Sequence, residues 1–158
     1  KLPDEDPSFE RRGADVVLNV PALIPEDYLP DVHARLTLYK RISSARSAEE
    51  LRDLQVEMID RFGLLPDAAK HLFAIAELKL HATRIGIRKL DLGPAGGRLQ
   101  FEAKPDVDPM TVIRMIQKQP QHYAMDGPDK LRLKLDLPDA TARVQAARGL
   151  LAALQRAA

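Results

Sequence analysis

Gly86–Ala103, GIRKLDLGPAGGRLQFEA, is where the chain turns from helical to extended character, and its reading decides the fold class. Ile87–Leu92 and Arg98–Ala103 read as short strands; in the second, Leu99, Phe101 and Ala103 share one parity and therefore one face. Gly93-Pro94-Ala95-Gly96-Gly97 between them has the composition of a hairpin loop. It is not a phosphate-cradling loop, because no Lys-Ser/Thr follows and a strand comes next where such a loop opens a helix.

Downstream the pattern repeats in kind. Asp108-Pro109 is a cap followed by a first-turn proline, opening a helix that runs to about Gln119 and stops at Pro120. His122–Asp126 and Lys130–Leu135 form a second strand pair turned by Gly127-Pro128, and Tyr123 and Met125 are expected on the buried parity. Asp136–Asp139 leads into a final Ala-rich helix. Upstream, Ala14–Val20 reads as a strand ended by Pro21, and its place in this sheet is left open. A helix follows over roughly Asp31–Ala45, with Val32, Leu36, Tyr39 and Ile42 expected inward. A third helical element begins near Pro66, buries Ala69, Leu72, Phe73, Ala76 and Leu80, and stops at Gly86. The expected fold is α+β: N-terminal helices followed by a ββαββα unit with a small, largely antiparallel sheet.

Between those two helices lies Ser47–Pro66, SAEELRDLQVEMIDRFGLLP. Ser47 and Glu50 have capping-box spacing, Leu51, Leu54, Met58, Ile59 and Phe62 recur at helical period, and Gly63 with Pro66 closes the element. At about 100° per residue, Glu50, Asp53, Glu57 and Asp60 gather on the opposite face with Arg61 at its edge. Like charges at this spacing repel by a few tenths of a kcal/mol per pair, so the stripe reads as a docking face for something basic.

The 158 residues suit one domain with a substantial core, and 45% hydrophobic with 30% charged content describes an ordinary globular chain. With no cysteine there is no disulfide or thiolate chemistry, and a cytoplasmic setting is expected; no run is long and apolar enough for a membrane helix. A start at Lys1 in a Pro- and acid-rich run suggests a piece of a longer polypeptide. Residues 1–62 carry a net charge of −4 and residues 63–158 one of +5, which suggests two faces of opposite sign.

Catalytic constellations are not evident. His33, His71, His81 and His122 lack metal-ligand spacing, no activated-serine elbow is present, and Asp106/Asp108 sit where capping explains them. No catalytic residue, metal site or cofactor is expected in this chain. The rival reading is a sequence-independent nucleic-acid module: Lys130, Arg132 and Lys134 alternate with leucines, making one strand face basic and suited to phosphate contact. Sheet-based RNA readers, however, carry aromatics on that face, and here Phe101 belongs to the core parity.

Several strings together resemble the C-terminal domain of bacterial transcription-repair coupling factor (Mfd). They are Ile24–Val32, Leu38–Ile42, Val56–Asp67, Gly86–Leu90, Gln117–Tyr123 and Asp126–Pro128, in the same order over residues 14–156. The resemblance implies a flexible linker at 1–13, a strand and connector from a preceding motor domain at 14–30, and a non-catalytic regulatory α+β domain at 31–158. It implies a parent that hydrolyses ATP with Mg, translocates on double-stranded DNA, displaces stalled RNA polymerase and recruits UvrA. In that family this domain masks the N-terminal UvrA-binding module of the same polypeptide and so autoinhibits it. The family contacts fall on Glu57, Asp60 and Arg61, with Glu50 and Asp53 on the same face.

Overall fold

The computed structural model describes residues 13–156. The linker predicted for residues 1–13 lies, apart from Gly13, outside them. The elements run β1 (Asp15–Val17), α1 (Val32–Ser44), α2 (Ala48–Phe62), α3 (Asp67–Ile85), β2 (Ile87–Gly93), β3 (Gly96–Phe101), α4 (Pro109–Lys118), β4 (Tyr123–Met125), β5 (Lys130–Lys134) and α5 (Ala140–Leu154). This is the expected α+β fold. Side-chain caps set the helix starts: Asp31, Ser47, Asp108 and Asp139 accept from His33, Glu50, Met110 and Ala142 backbone N–H groups.

The chain divides into a helical unit, residues 20–80, and a sheet unit, residues 1–19 with 81–158. In the helical unit Leu38 and Ile42 of α1, Leu51, Leu54 and Met58 of α2, and Ala69 and Phe73 of α3 enclose one core with Ile24, Leu29 and Leu65. Two expectations fail here. Val32 and Leu36 are 58% and 61% exposed, because the buried arc of α1 is centred on Leu38 and Ile42. Ile59 is also outside, since it lies about 100° around the helix from Met58 at the centre of α2's buried arc.

In the sheet unit the strand order is β1-β2-β3-β5-β4, with β1 parallel to β2 and every other pair antiparallel. The sheet therefore takes in Asp15–Val17, which settles the place of that segment. Leu90, Leu92, Leu99, Phe101, Leu131 and Leu133 make the buried row, and Val144, Ala147, Leu150, Leu151 and Leu154 of α5 are buried in the same unit. Pro94 and Ala95 form a tight turn between β2 and β3. Gly96 is required there: its φ is +110°, and an added Cβ would come within 2.1 Å of the Leu133 carbonyl oxygen. Met125 is 42% exposed, against expectation, because β4 is an edge strand with little beyond it to cover its core-parity side.

Arg143 is the buried charge that sequence reading missed. It is 7% exposed, and its guanidinium donates to the carbonyls of Leu137 (3.0 Å), Leu18 (3.3 Å) and Asn19 (3.1 Å). One side chain thus ties the end of β1 to the entry of α5. Arg143→Met should lower stability by about 2–3 kcal/mol in urea unfolding, since it strands carbonyls that the arginine satisfies. A loss below about 0.5 kcal/mol would show that those carbonyls find other partners.

Candidate docking face

Helix α2 carries the predicted stripe, and its start and end follow the sequence closely. Ser47 Oγ accepts from Glu50 N (3.1 Å), while the Glu50 carboxylate accepts from Arg46 N (2.5 Å), one residue earlier than an ideal capping box would place it. At the other end Gly63, with φ of +97°, donates to the Ile59 carbonyl (2.9 Å). Tyr28 closes this end: its hydroxyl lies 2.8 Å from the Gly63 carbonyl and 3.3 Å from that of Met58. Its ring meets Phe62 edge-on at 6.1 Å, and the Arg61 guanidinium lies 4.9 Å over the other ring's centroid. Burial pushes the Tyr28 phenol above its ordinary pKa.

The five predicted residues separate into two groups. Glu50, Asp53 and Glu57 line a shallow groove with Arg41 and Ser44 of α1. There Glu57 accepts a bidentate pair from Arg41 (2.6 and 3.0 Å) and a longer contact from Arg61 (3.6 Å). Asp60 and Arg61 lie further along the helix. Asp53 and Asp60 are exposed and make no ion pair among the described residues. The stripe is therefore not four equivalent carboxylates. Two are committed locally and two face outward. Between Asp53 and Asp60, at i+3 and i−4, sits Val56, which is 57% exposed. Ile59 and Leu64 continue the exposed apolar side chains to the helix end. Sequence reading missed this seam, although the spacing of Val56 from the two aspartates was legible.

The other candidate cations sit on the opposite parity from the sheet's leucines. Arg132 and Lys134 are exposed, Lys130 is half-buried, and Gly96, opposite Lys134, is buried. Arg98, opposite Arg132, pairs with Asp126 (3.1 Å), and Lys89 approaches Asp15 at 3.9 Å. Arg98, Arg132, Lys134 and His122 border an open groove of about 900 Å³ that also contains Asp91. Among the described residues no group of three His, Asp or Glu side chains is placed to hold a metal ion. No helix among them is long and apolar enough to cross a membrane.

The hydrogen bond from Arg41, and then the charges of Arg41 and Arg61, hold the Glu57 carboxyl below its ordinary range against an opposing desolvation effect. A carboxyl depressed on folding stabilises fully above its unfolded pKa, about 4.3, and that contribution fades as pH falls through the lower folded value. The stability difference between wild type and Glu57→Gln should hold steady from about pH 7 to 5 and shrink below about pH 4. A difference unchanged at about pH 3 would show that another group is responsible.

The chain as a whole is similar to known proteins. A family model, the TRCF domain, matches residues 18–112. A transcription-repair-coupling factor of Escherichia coli is 44% identical over 153 residues, 95% of this chain and 13% of that protein. One from Haemophilus influenzae is 48% identical over 143 residues, 89% of this chain and 12% of that protein. A crystal structure described as the C-terminal domain of transcription-repair coupling factor shares the fold, with a TM-score of 0.66 and 17% identity over 92% of this chain and 97% of that one. The fold and sequence define a TRCF-type α+β domain. The chain belongs to the TRCF domain family and corresponds to a C-terminal domain of transcription-repair coupling factor. It spans about an eighth of the length of these two relatives.

Proposed function

We propose that this chain is a non-catalytic regulatory domain that docks, through the exposed face of α2, on the N-terminal UvrA-binding module of its own polypeptide. Docking masks that module and holds an ATP-dependent, Mg-requiring DNA translocase in a repressed state. Engagement of RNA polymerase and double-stranded DNA releases it, so that excision repair is recruited only where transcription has stalled. The observation that carries this reading is the pair of outward carboxylates, Asp53 and Asp60, one on each side of an exposed valine on a rigid helix. Membership of the family supplies the biological setting.

The energetics suit a releasable lock. Holding the closed form at about 99% needs about 2.7 kcal/mol of net preference. Two close interfacial charge pairs coupling by about 1.5 kcal/mol each reach that figure. Asp60 is the cleanest probe, because reversing Glu57 would also set three cations against one another around Arg41. Asp60→Arg in the intact translocase should leave the melting temperature of this domain unchanged and raise both UvrA capture and DNA-stimulated ATPase activity by about tenfold, the value of one lost pair. A variant as repressed as wild type would remove the docking assignment.

The uncovered sheet face favours a second reading, sequence-independent contact with a nucleic-acid backbone by Lys130, Arg132 and Lys134. Among the described strand residues no Phe or Tyr shares the parity of those cations, and the His122 ring at the border lies 2.9 Å from the Lys134 carbonyl, so little stacking on single strands is expected. Three phosphate contacts would make the logarithm of the binding constant fall with the logarithm of salt at a slope of about −2.7. Fluorescence anisotropy of the chain with a labelled DNA duplex tests this, and no binding at about 0.05 M salt would dismiss it.

A further inference from the structure

Leu64 is 84% exposed, the highest value among the exposed large apolar residues, while its neighbour Leu65 is 7% exposed. A glycine-ended helix usually folds the next apolar residue back onto its last turn. Here Leu64 stays largely bare: Ile59, whose carbonyl takes the Gly63 N–H, is itself 37% exposed, and Val56 one turn earlier is 57% exposed. The display is not loose, because the Tyr28 hydroxyl holds the Gly63 carbonyl at 2.8 Å and the Phe62 ring is braced by Tyr28 and Arg61. Isolated exposed apolar side chains are ordinary. Three of them following one helix edge to its end, bordered by two unpaired carboxylates, repeat the anatomy of an interface: an apolar centre and a charged rim.

We infer that Leu64, with Ile59 and Val56, is the apolar anchor of the docking face, so the surface it fits is an apolar hollow rimmed by Arg or Lys and not a plain basic patch. This rests on the docking reading above. The two components do different work. Charge pairs with Asp53 and Asp60 select and orient the partner and weaken as salt screens them, whereas apolar contact at Leu64 persists. Ordering cost is low, because the anchor stands on a helix end that is already fixed. The closed state should therefore survive salt that would dissolve a purely electrostatic clasp.

The test is UvrA capture by the intact translocase at about 0.1 M and about 0.5 M KCl, where screening lengths differ about twofold. Wild type should stay repressed at both. Leu64→Ser should raise capture by about tenfold or more, most of all at the higher salt, with the melting temperature unchanged. Leu64→Met should stay near wild type, since it keeps apolar bulk. If Leu64→Ser is as repressed as wild type while Asp60→Arg is released, the anchor is wrong and the docking reading stands. If neither variant is released, the docking reading falls and takes the anchor with it.

Discussion

The exposed face of α2 and the chain that leaves it depend on how one helix end is held. Gly63 takes the backbone out of α2 at a φ that other residues resist, and the Tyr28 hydroxyl, with one proton to give, satisfies the carbonyl that the exit exposes. The helix itself places Asp60 and Arg61, and this grip holds the exit that leads to Leu64. It also explains an oddity of composition: Leu64 and Leu65 are adjacent and identical, yet one is core and the other nearly bare. Leu64 sits at a bend just after Gly63, and the chain then turns Leu65 into the helical core, which leaves Leu64 outside.

Charge on α2 is distributed to the same end. Read from sequence, the carboxylates form a uniform ridge whose self-repulsion calls for a basic neighbour. In the folded helical unit Arg41, from α1, supplies part of that neighbour internally by taking Glu57 in a bidentate grip, and Arg61 adds a weaker contact. Asp53 and Asp60, two turns apart on one side of the helix, are left without an ion pair, and Glu50 keeps its charge while accepting from the Arg46 backbone N–H. Local neutralisation of the middle of the ridge reduces the repulsion that would otherwise fray the helix. Its two outer charges remain available to another surface.

The local parts of this fold were legible because their signals are local. Ser47 and Asp108 cap the helices they were expected to cap, Gly63 and Gly86 follow the ends they mark, and the alternation Leu131, Leu133 gave the buried side of β5. What periodicity cannot fix is the angular centre of a buried arc. Val32 and Leu36 were assigned inward at plausible spacing, but Leu38 and Ile42 define the face that the core selects. Ile59 failed for the same reason, by one step around the wheel. Met125 obeyed its parity and still emerged, since parity says nothing about whether an edge strand is covered. Arg143 could not have been found: its acceptors Leu18 and Asn19 are separated from it by more than a hundred residues.

The candidate site shows the same division. The stripe itself, with its members and its helix, was readable from 3.6-residue spacing, whereas the partition of its charges required Arg41, which belongs to a different helix. Of its apolar component, periodicity placed only Ile59, and on the buried side; Val56 and Leu64 fell outside the stripe it defined. The exposure of all three near carboxylates without ion pairs is what the docking proposal draws on. A wholly apolar seal would hold too firmly to open on a signal, and a wholly charged one would admit many basic partners. A small apolar centre within a sparse acidic rim limits both faults, as the proposed reversible mask would require.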